Sequence, residues 1–538
     1  AYELADGGGV AGAPRSIAFE LASADALPPT TIPAGLVPAP WDLAAICGTA
    51  HVVSTRAEFD AALPELQPGD GILITEGSRD WGEITIPESV RGTAERPIVI
   101  RSHDGPVIFT GATVLRVAGS HVHVQGLSVD EGSGGWRVDG SASALPTGVR
   151  FSLMHCREMS GQCLYVGRST LARFDHSLIE RSRTKSVHVS NQSTLARIDH
   201  NHLRDIETRV IDGTVVNGGE AIQLGHGLPG TIEDVPIVPM RALVDHNVLQ
   251  RTEGEGEMIG VKTGGNIVAL NVVVDATYGH ISLRGGEHNL VFGNVIRATR
   301  AGVRMHGIAP VVVHNLIVDP HTWEGIRIPT GSDRLWQPEG YDVMYVRYVA
   351  ARRGLVRNNT VVLTSRGETS ARAFAMNAQD DFCGGPCDVV PFDNDFVRNL
   401  FVNARGGATV GYPQAFVDAN SFEENGYWLA GGATLGVEGS VAASVSLTSE
   451  ELQAPHAALA ERVWAAPADE CLRLERAAEL DAVQGVLFGA GACERPGEDT
   501  GVLLFAIDLL ADPSAAERLV SWLGEQPPMV VPRVPPPR

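Results

Sequence analysis

Residues 266–277 read NIVALNVVVDAT and residues 289–300 read NLVFGNVIRATR. Each is a short β-branched strand, a central asparagine and a second short strand. The pattern recurs in LARFDHSLIERS (171–182), LARIDHNHLRDI (195–206), ALVDHNVLQRTE (242–253), PVVVHNLIVDPH (310–321), GLVRNNTVVLTS (354–365) and DFVRNLFVNARG (395–406). The central polar positions are Ser177, Asn201, Asn247, Asn271, Asn294, Asn315, Asn359 and Asn399. Their separations are 24, 46, 24, 23, 21, 44 and 40 residues, one or two units of about 22. A unit of that length, with several short strands and no helix signal, marks a stacked solenoid. The expected fold is all-β, a single-stranded right-handed parallel β-helix. In it the recurring asparagine hydrogen-bonds its counterparts one coil above and below, satisfying amides otherwise buried unpaired. The asparagines are therefore structural.

Outward from this core, RPIVIRS (96–102), GPVIFTG (105–111) and VLRVAGSHVHVQGLSVD (114–130) fit the same plan. TRAEFDAALPELQPGDGILITEG (55–77) reads as a short amphipathic helix and then a strand, an N-terminal cap for the open end. Residues 1–50 form a Pro/Ala-rich extension, residues 51–430 the β-helix, and residues 431–538 a C-terminal appendage. In the appendage, residues 449–466 and 470–487 have helical periodicity, and the tail PPMVVPRVPPPR is extended.

The chain has 538 residues, 44% hydrophobic and 20% charged, with a net charge of −22 and 60 glycines. That balance suits a folded, turn-rich protein and argues against nucleic-acid or anionic-membrane partners. No apolar run is long enough to span a bilayer. A start at AYELADGGG and the close cysteine pairs Cys156/Cys163, Cys383/Cys387 and Cys471/Cys493 point to an exported protein, secreted or periplasmic, with disulfides. Zinc at Cys383/Cys387 is the alternative, and Cys47 is left over.

Alternation in strands selects outward residues between inward apolar ones: His188, Gln223, Arg284, Arg304 and Arg327. Lys262, Arg284, Arg304 and Arg327 are spaced by 22, 20 and 23 residues. Read as single-coil steps, they predict a basic column on one outer sheet of an acidic protein, suited to a linear polyanion. Beside it, TEGEGEMIGVK (252–262) places Glu255 and Glu257 two apart, facing one hard cation, with Asn217 of NGGEAIQLG (217–225) supplying a neutral oxygen. Glu253 is either a further ligand or a bystander, and a solvated acidic edge is the alternative for the whole stretch. Lys262 is an odd number of residues from Glu257, so a bulge is expected near Gly260.

The stretches NGGEAIQLG, EGEMIGVKTGGN (255–266) and GHISLRGGEHNLVFGN (279–294) together resemble polysaccharide lyase family 6, the β-helix lyases that include alginate lyases and chondroitinase B. The resemblance covers roughly residues 50–430. It implies a calcium ion held by Asn217, Glu255 and Glu257, with Lys262 as base and Arg284 as acid or leaving-group partner. Arg304, Arg327, His306 and Tyr278 become substrate contacts. The implied reaction is β-elimination on a uronate polymer, alginate first, by a monomer. A glycosaminoglycan such as dermatan sulfate is the alternative substrate, and a C5-epimerase or carbohydrate-binding β-helix the alternative class. The chain departs from the family in reading Arg284-Gly285-Gly286 where Arg-His-Gly is usual. It also carries a longer loop from His226 to Arg241 and GVKT around the lysine.

Overall fold

The computed structural model describes residues 46–103, 105–226, 240–276, 278–332, 348–363, 371–378, 387–403, 405–423, 425–429, 432–436 and 443–444. Residues 1–45, Cys383, the Cys471/Cys493 pair and the helices expected over 449–466 and 470–487 lie outside them. The described residues fall into two compact units, one ending at residue 266 and one beginning at residue 267.

Each unit is a parallel β-helix of short strands in three stacks. In the N-terminal unit the first stack runs from Ala50–Val53 to Leu243–Asp245, and the third from Gly77–Arg79 to Val248–Thr252. The second carries the chemistry: Glu83–Ile86, Val114–Val117, Gly135–Val138, Leu164–Val166, Val187–Val189, Ile222–Leu224 and Glu257–Val261. Pairing is parallel throughout these stacks, with one strand of each kind per coil. Alternation sends one set of side chains inward, and the interior packs Phe59, Phe109, Trp136 and Phe151 at or near full burial. The expected cap helix is Arg56–Ala62, closed at its N-terminus by a reciprocal Thr55–Glu58 capping box.

The C-terminal unit repeats the plan. Its site-bearing stack is His280–Leu283, Val303–Met305, Ile326–Pro329, Phe374–Asn377 and Val410–Gly411. Past residue 430, Ala443–Ser444 pairs with the start of Gly426–Leu429.

The asparagine ladder is present within each unit. Asn294 Oδ1 accepts the backbone N–H and the side-chain amide of Asn271, both at 3.0 Å. The Asn294 amide then donates to Asn315 Oδ1 at 2.9 Å and to Val268 O at 2.9 Å. The ladder holds a turn whose preceding residue is left-handed even where it is not glycine: Leu270 (φ 56°), His314 (φ 57°), Asn358 (φ 52°) and Arg398 (φ 54°). Such residues cost on the order of 1 kcal/mol each, which the ladder offsets. Asn294→Ala leaves the Asn271 N–H without this acceptor and is expected to lower unfolding stability by roughly 1–3 kcal/mol, read by denaturant titration.

Candidate functional site

An acidic centre forms in the N-terminal unit where the turn before Ile222–Leu224 meets the turn before Glu257–Val261. The register Ile222↔Ile259, Gln223↔Gly260, Leu224↔Val261 places Glu220 and Glu257 each two residues ahead of the paired triplet. Glycine permits the contact between the turns: a Cβ on Gly219 would lie 2.3 Å from the carbonyl oxygen of Gly254, and one on Gly254 2.1 Å from that of Gly219. The alternating glycines of TEGEGE are thus in part a packing requirement.

Carboxylate oxygens of Glu220, Glu255 and Glu257 lie within 4.8 Å of one another. Glu255 Oε2 accepts the backbone N–H groups of Gly218 at 2.8 Å and Gly219 at 3.1 Å. Glu220 Oε1 accepts from Lys262 Nζ at 2.6 Å, and Glu257 Oε2 lies 3.6 Å from the same amine. Burial, then the neighbouring charge of Glu220, pushes the Glu255 carboxyl up to about 7. Among the described residues Glu220 Oε2 is buried with no hydrogen-bond partner. Three crowded, largely buried carboxylates repel one another, and Lys262 and half-buried Lys185 offset that charge only in part. An orphaned buried oxygen in an all-oxygen donor set fits a hard divalent ion.

Asn217 stands at the rim. It is exposed, and its Oδ1 accepts the same Gly218 N–H that Glu255 takes, at 2.8 Å, so the amide oxygen lies beside that carboxylate. Among the described acidic residues the buried third member of the group is Glu220, not Glu253. The signal for Glu220 is present in the sequence, since GEAIQL (219–224) and GEMIGV (256–261) are successive coils of one motif. That coil is 37 residues long, well beyond the usual 22, which hides the match.

No bulge occurs at Gly260, contrary to expectation, because the register runs unbroken through it. The Glu257 carboxylate and the Lys262 amine reach each other across Gly260, where a Cβ would meet Glu257 Oε2 and Lys262 Cε, each at 3.5 Å. Half-buried Lys185 stands two residues before Val187, which pairs with Ile222, and is thus in line with Glu220. Burial, then the lysine charges, hold the imidazole of His226 at about 4; burial is also the main cause of the low value at His188, followed by His226 and the lysines.

In the C-terminal unit the basic residues separate into two lines. Arg304 stands opposite Ser282, and Arg327 opposite Arg304. Arg284 is two residues beyond Ser282, beside His306, whose N–H donates to Leu283 O at 2.9 Å. The expected single column through Arg284, Arg304 and Arg327 is therefore corrected. A coil here is 22 residues, from Ser282 to Arg304, so a spacing of 20 leaves Arg284 on the same face but one pleat repeat along. What reunites them is Tyr348, which the sequence reading missed. Its ring lies 4.9 Å from the Arg284 guanidinium carbon, 5.0 Å from that of Arg304 and 5.2 Å from the His306 ring. Arg327 lies over Trp323 at 4.2 Å. Tyr278 is exposed and faces Arg300 at 4.8 Å, and Arg300 in turn lies over Trp323 at 3.6 Å.

The family model for chondroitinase B matches residues 53–140 and 163–322. Among solved structures, the polysaccharide lyase family 6 alginate lyase AlyGC is 24% identical, with a TM-score of 0.59 over 74% of this chain and 54% of its own. The chain thus spans about half the length of that protein. A mannuronic acid-specific family 6 lyase from human gut microbiota is 19% identical, with a TM-score of 0.58 over 78% of this chain and 95% of its own. The family 6 lyase Pedsa3628 from Pseudopedobacter saltans is 18% identical, with a TM-score of 0.53 over 72% and 94%. These likenesses show the shared fold. No curated protein matches the chain significantly. The chondroitinase B family match runs through the motifs of Glu255, Lys262 and Arg284, and the chain shares the parallel β-helix fold of the family 6 lyases it resembles.

Proposed function

We propose that this protein is a calcium-dependent polysaccharide lyase that cleaves a uronate polymer, alginate first, by β-elimination. The observation that carries the reading is the buried Glu220–Glu255–Glu257 group with the Lys262 amine 2.6 Å from its deepest carboxylate. Glu220, Glu255 and Glu257, with Asn217 at the rim, would hold calcium. Bound there, the ion would neutralise the uronate carboxylate and stabilise the enolate-like charge that builds as the C5 proton leaves.

Lys262 takes the C5 proton, the electrons of that bond form the C4–C5 double bond, and the C4–O bond breaks. Arg284 stabilises the departing oxygen electrostatically, with water supplying its proton, since a guanidinium is so rarely deprotonated. Arg304, Arg327, His306 and Tyr278 contact neighbouring sugars. The carboxylates that pair with Lys262 are the ones a cation engages, so loading the centre removes counter-charges from the amine. The Cys156–Cys163 disulfide supports an exported protein, acting as a monomer on an acidic polysaccharide. Among the described residues no helix is long and apolar enough to cross a membrane.

A second reading, cleavage of a glycosaminoglycan such as dermatan sulfate, is favoured by the chondroitinase B match. A panel of alginate blocks, dermatan, chondroitin, hyaluronan and pectate, followed by ultraviolet absorbance of the unsaturated product, separates the two. No rise on any uronate polymer would sink both.

Tyr348 positions the two arginines in this scheme. Removing the ring from two cation–π contacts, each worth about 0.5–2 kcal/mol, is expected to raise KM for polymer several-fold in Tyr348→Leu. Tyr348→Phe keeps the ring and is expected to restore it, as read from initial rates. Equal kinetics in both variants would remove the positioning role.

A further inference from the structure

The second stack of the N-terminal unit holds one more row of side chains, which the centre does not use. Register pairs Arg116 with Arg137, Arg137 with Tyr165, Tyr165 with His188, His188 with Gln223, and Gln223 with Gly260. These residues therefore stand on one outward line, which ends two residues short of Lys262. Five coil steps separate Arg116 from Gly260, roughly 24 Å at the inter-strand spacing.

Two features set the far end of the row apart. The first is charge without a counter-charge. Arg150, Arg173 and Arg197 on the first stack each hold an aspartate, and Arg157 and Arg204 on the third hold Asp130 and Glu180. Among the described residues Arg116 and Arg137 hold no carboxylate. Arg116 donates to the carbonyl oxygen of Asp139 at 3.2 and 3.3 Å, and Arg137 lies over the Tyr165 ring at 5.3 Å. The second is access. Arg137 is exposed, and Arg116 and Tyr165 are half-exposed, whereas His188 and Gln223 are buried. In a protein of net charge −22, guanidiniums that hold no carboxylate among the described residues, in register with the acidic centre, call for an anionic ligand.

We propose that Arg116, Arg137 and Tyr165 form remote subsites for a long uronate chain, the guanidiniums holding sugar carboxylates and the tyrosine ring packing on a pyranose face. One coil step is comparable to the length of one pyranose unit, so a chain lying along the line presents about one carboxylate per coil. The inference rests on the centre being a polyuronate lyase, and it makes long chains bind better than short ones.

The test is affinity electrophoresis through gels containing polymeric alginate and calcium, in a Lys262→Ala background so that the polymer is not consumed. Adding Arg116→Gln and Arg137→Gln is expected to raise the dissociation constant roughly five- to tenfold and to flatten its dependence on salt. Arg137→Gln alone, at an exposed position that does not threaten folding, is expected to give part of the effect. Equal retardation with and without the substitutions, or no retardation of either protein, overturns the proposal. Absorbance of the unsubstituted protein on polymer reads the lyase assignment separately. A protein that cleaves but binds equally well without the arginines loses only the remote subsites. One that needs them for binding but raises no absorbance loses only the lyase assignment.

Discussion

Lys262→Ala is expected to lower turnover on a uronate polymer by roughly 10²- to 10⁴-fold, the range for losing a positioned general base. The same substitution has a structural consequence that must be separated from the chemical one. The Lys262 side chain is 6% exposed and that of Glu220 1%, and removing one partner of a buried pair costs about 3–5 kcal/mol. The variant is therefore expected to melt lower than the parent in chelator, with part of the loss regained in calcium, and its activity should be assayed with calcium well below its melting temperature. Lys262→Arg separates the two effects. A guanidinium keeps the ion pair with Glu220 but does not accept a proton, so this variant is expected to recover stability and remain inactive. An active arginine variant would assign the base elsewhere.

Calcium removal is the second large effect. Three carboxylates within 4.8 Å repel one another, so a cation that binds only the folded state stabilises it by mass action, about 3–4 kcal/mol at 100 to 1,000 times its dissociation constant. Chelator is expected to abolish activity and lower the melting temperature, and added calcium to reverse both. Glu255→Gln keeps an oxygen to accept the Gly218 and Gly219 N–H groups while deleting one charge. In chelator it is expected to be at least as stable as the parent, and calcium should no longer raise its melting temperature. Identical melting of the parent with and without calcium would remove the metal from the account.

The fold was legible because each coil must bury the same face and turn the same corner, which writes β-branched runs and asparagines at a period near 22 residues. The acidic pair Glu255 and Glu257 was legible for a local reason, their alternation. Two features were less legible because the coils differ in length. The coil from Ile222 to Ile259 is 37 residues long, which hides Glu220 beneath Glu257. The 20-residue step from Arg284 to Arg304 falls two short of the coil that pairs Ser282 with Arg304. Tyr348 lies in none of the repeating strands, and nothing in its surrounding sequence aims it at the arginines. Gly260 needed no bulge, because a missing side chain lets its flanking residues meet.

The most direct test of the central claim is the mass spectrum of products released from alginate in heavy-oxygen water. Elimination predicts new non-reducing ends one water lighter than hydrolysis would leave, with no solvent oxygen incorporated, and their disappearance in Lys262→Ala. Products carrying an added solvent oxygen, or an uncleaved polymer that takes up deuterium at C5 in a parallel digest in deuterium oxide, would contradict it.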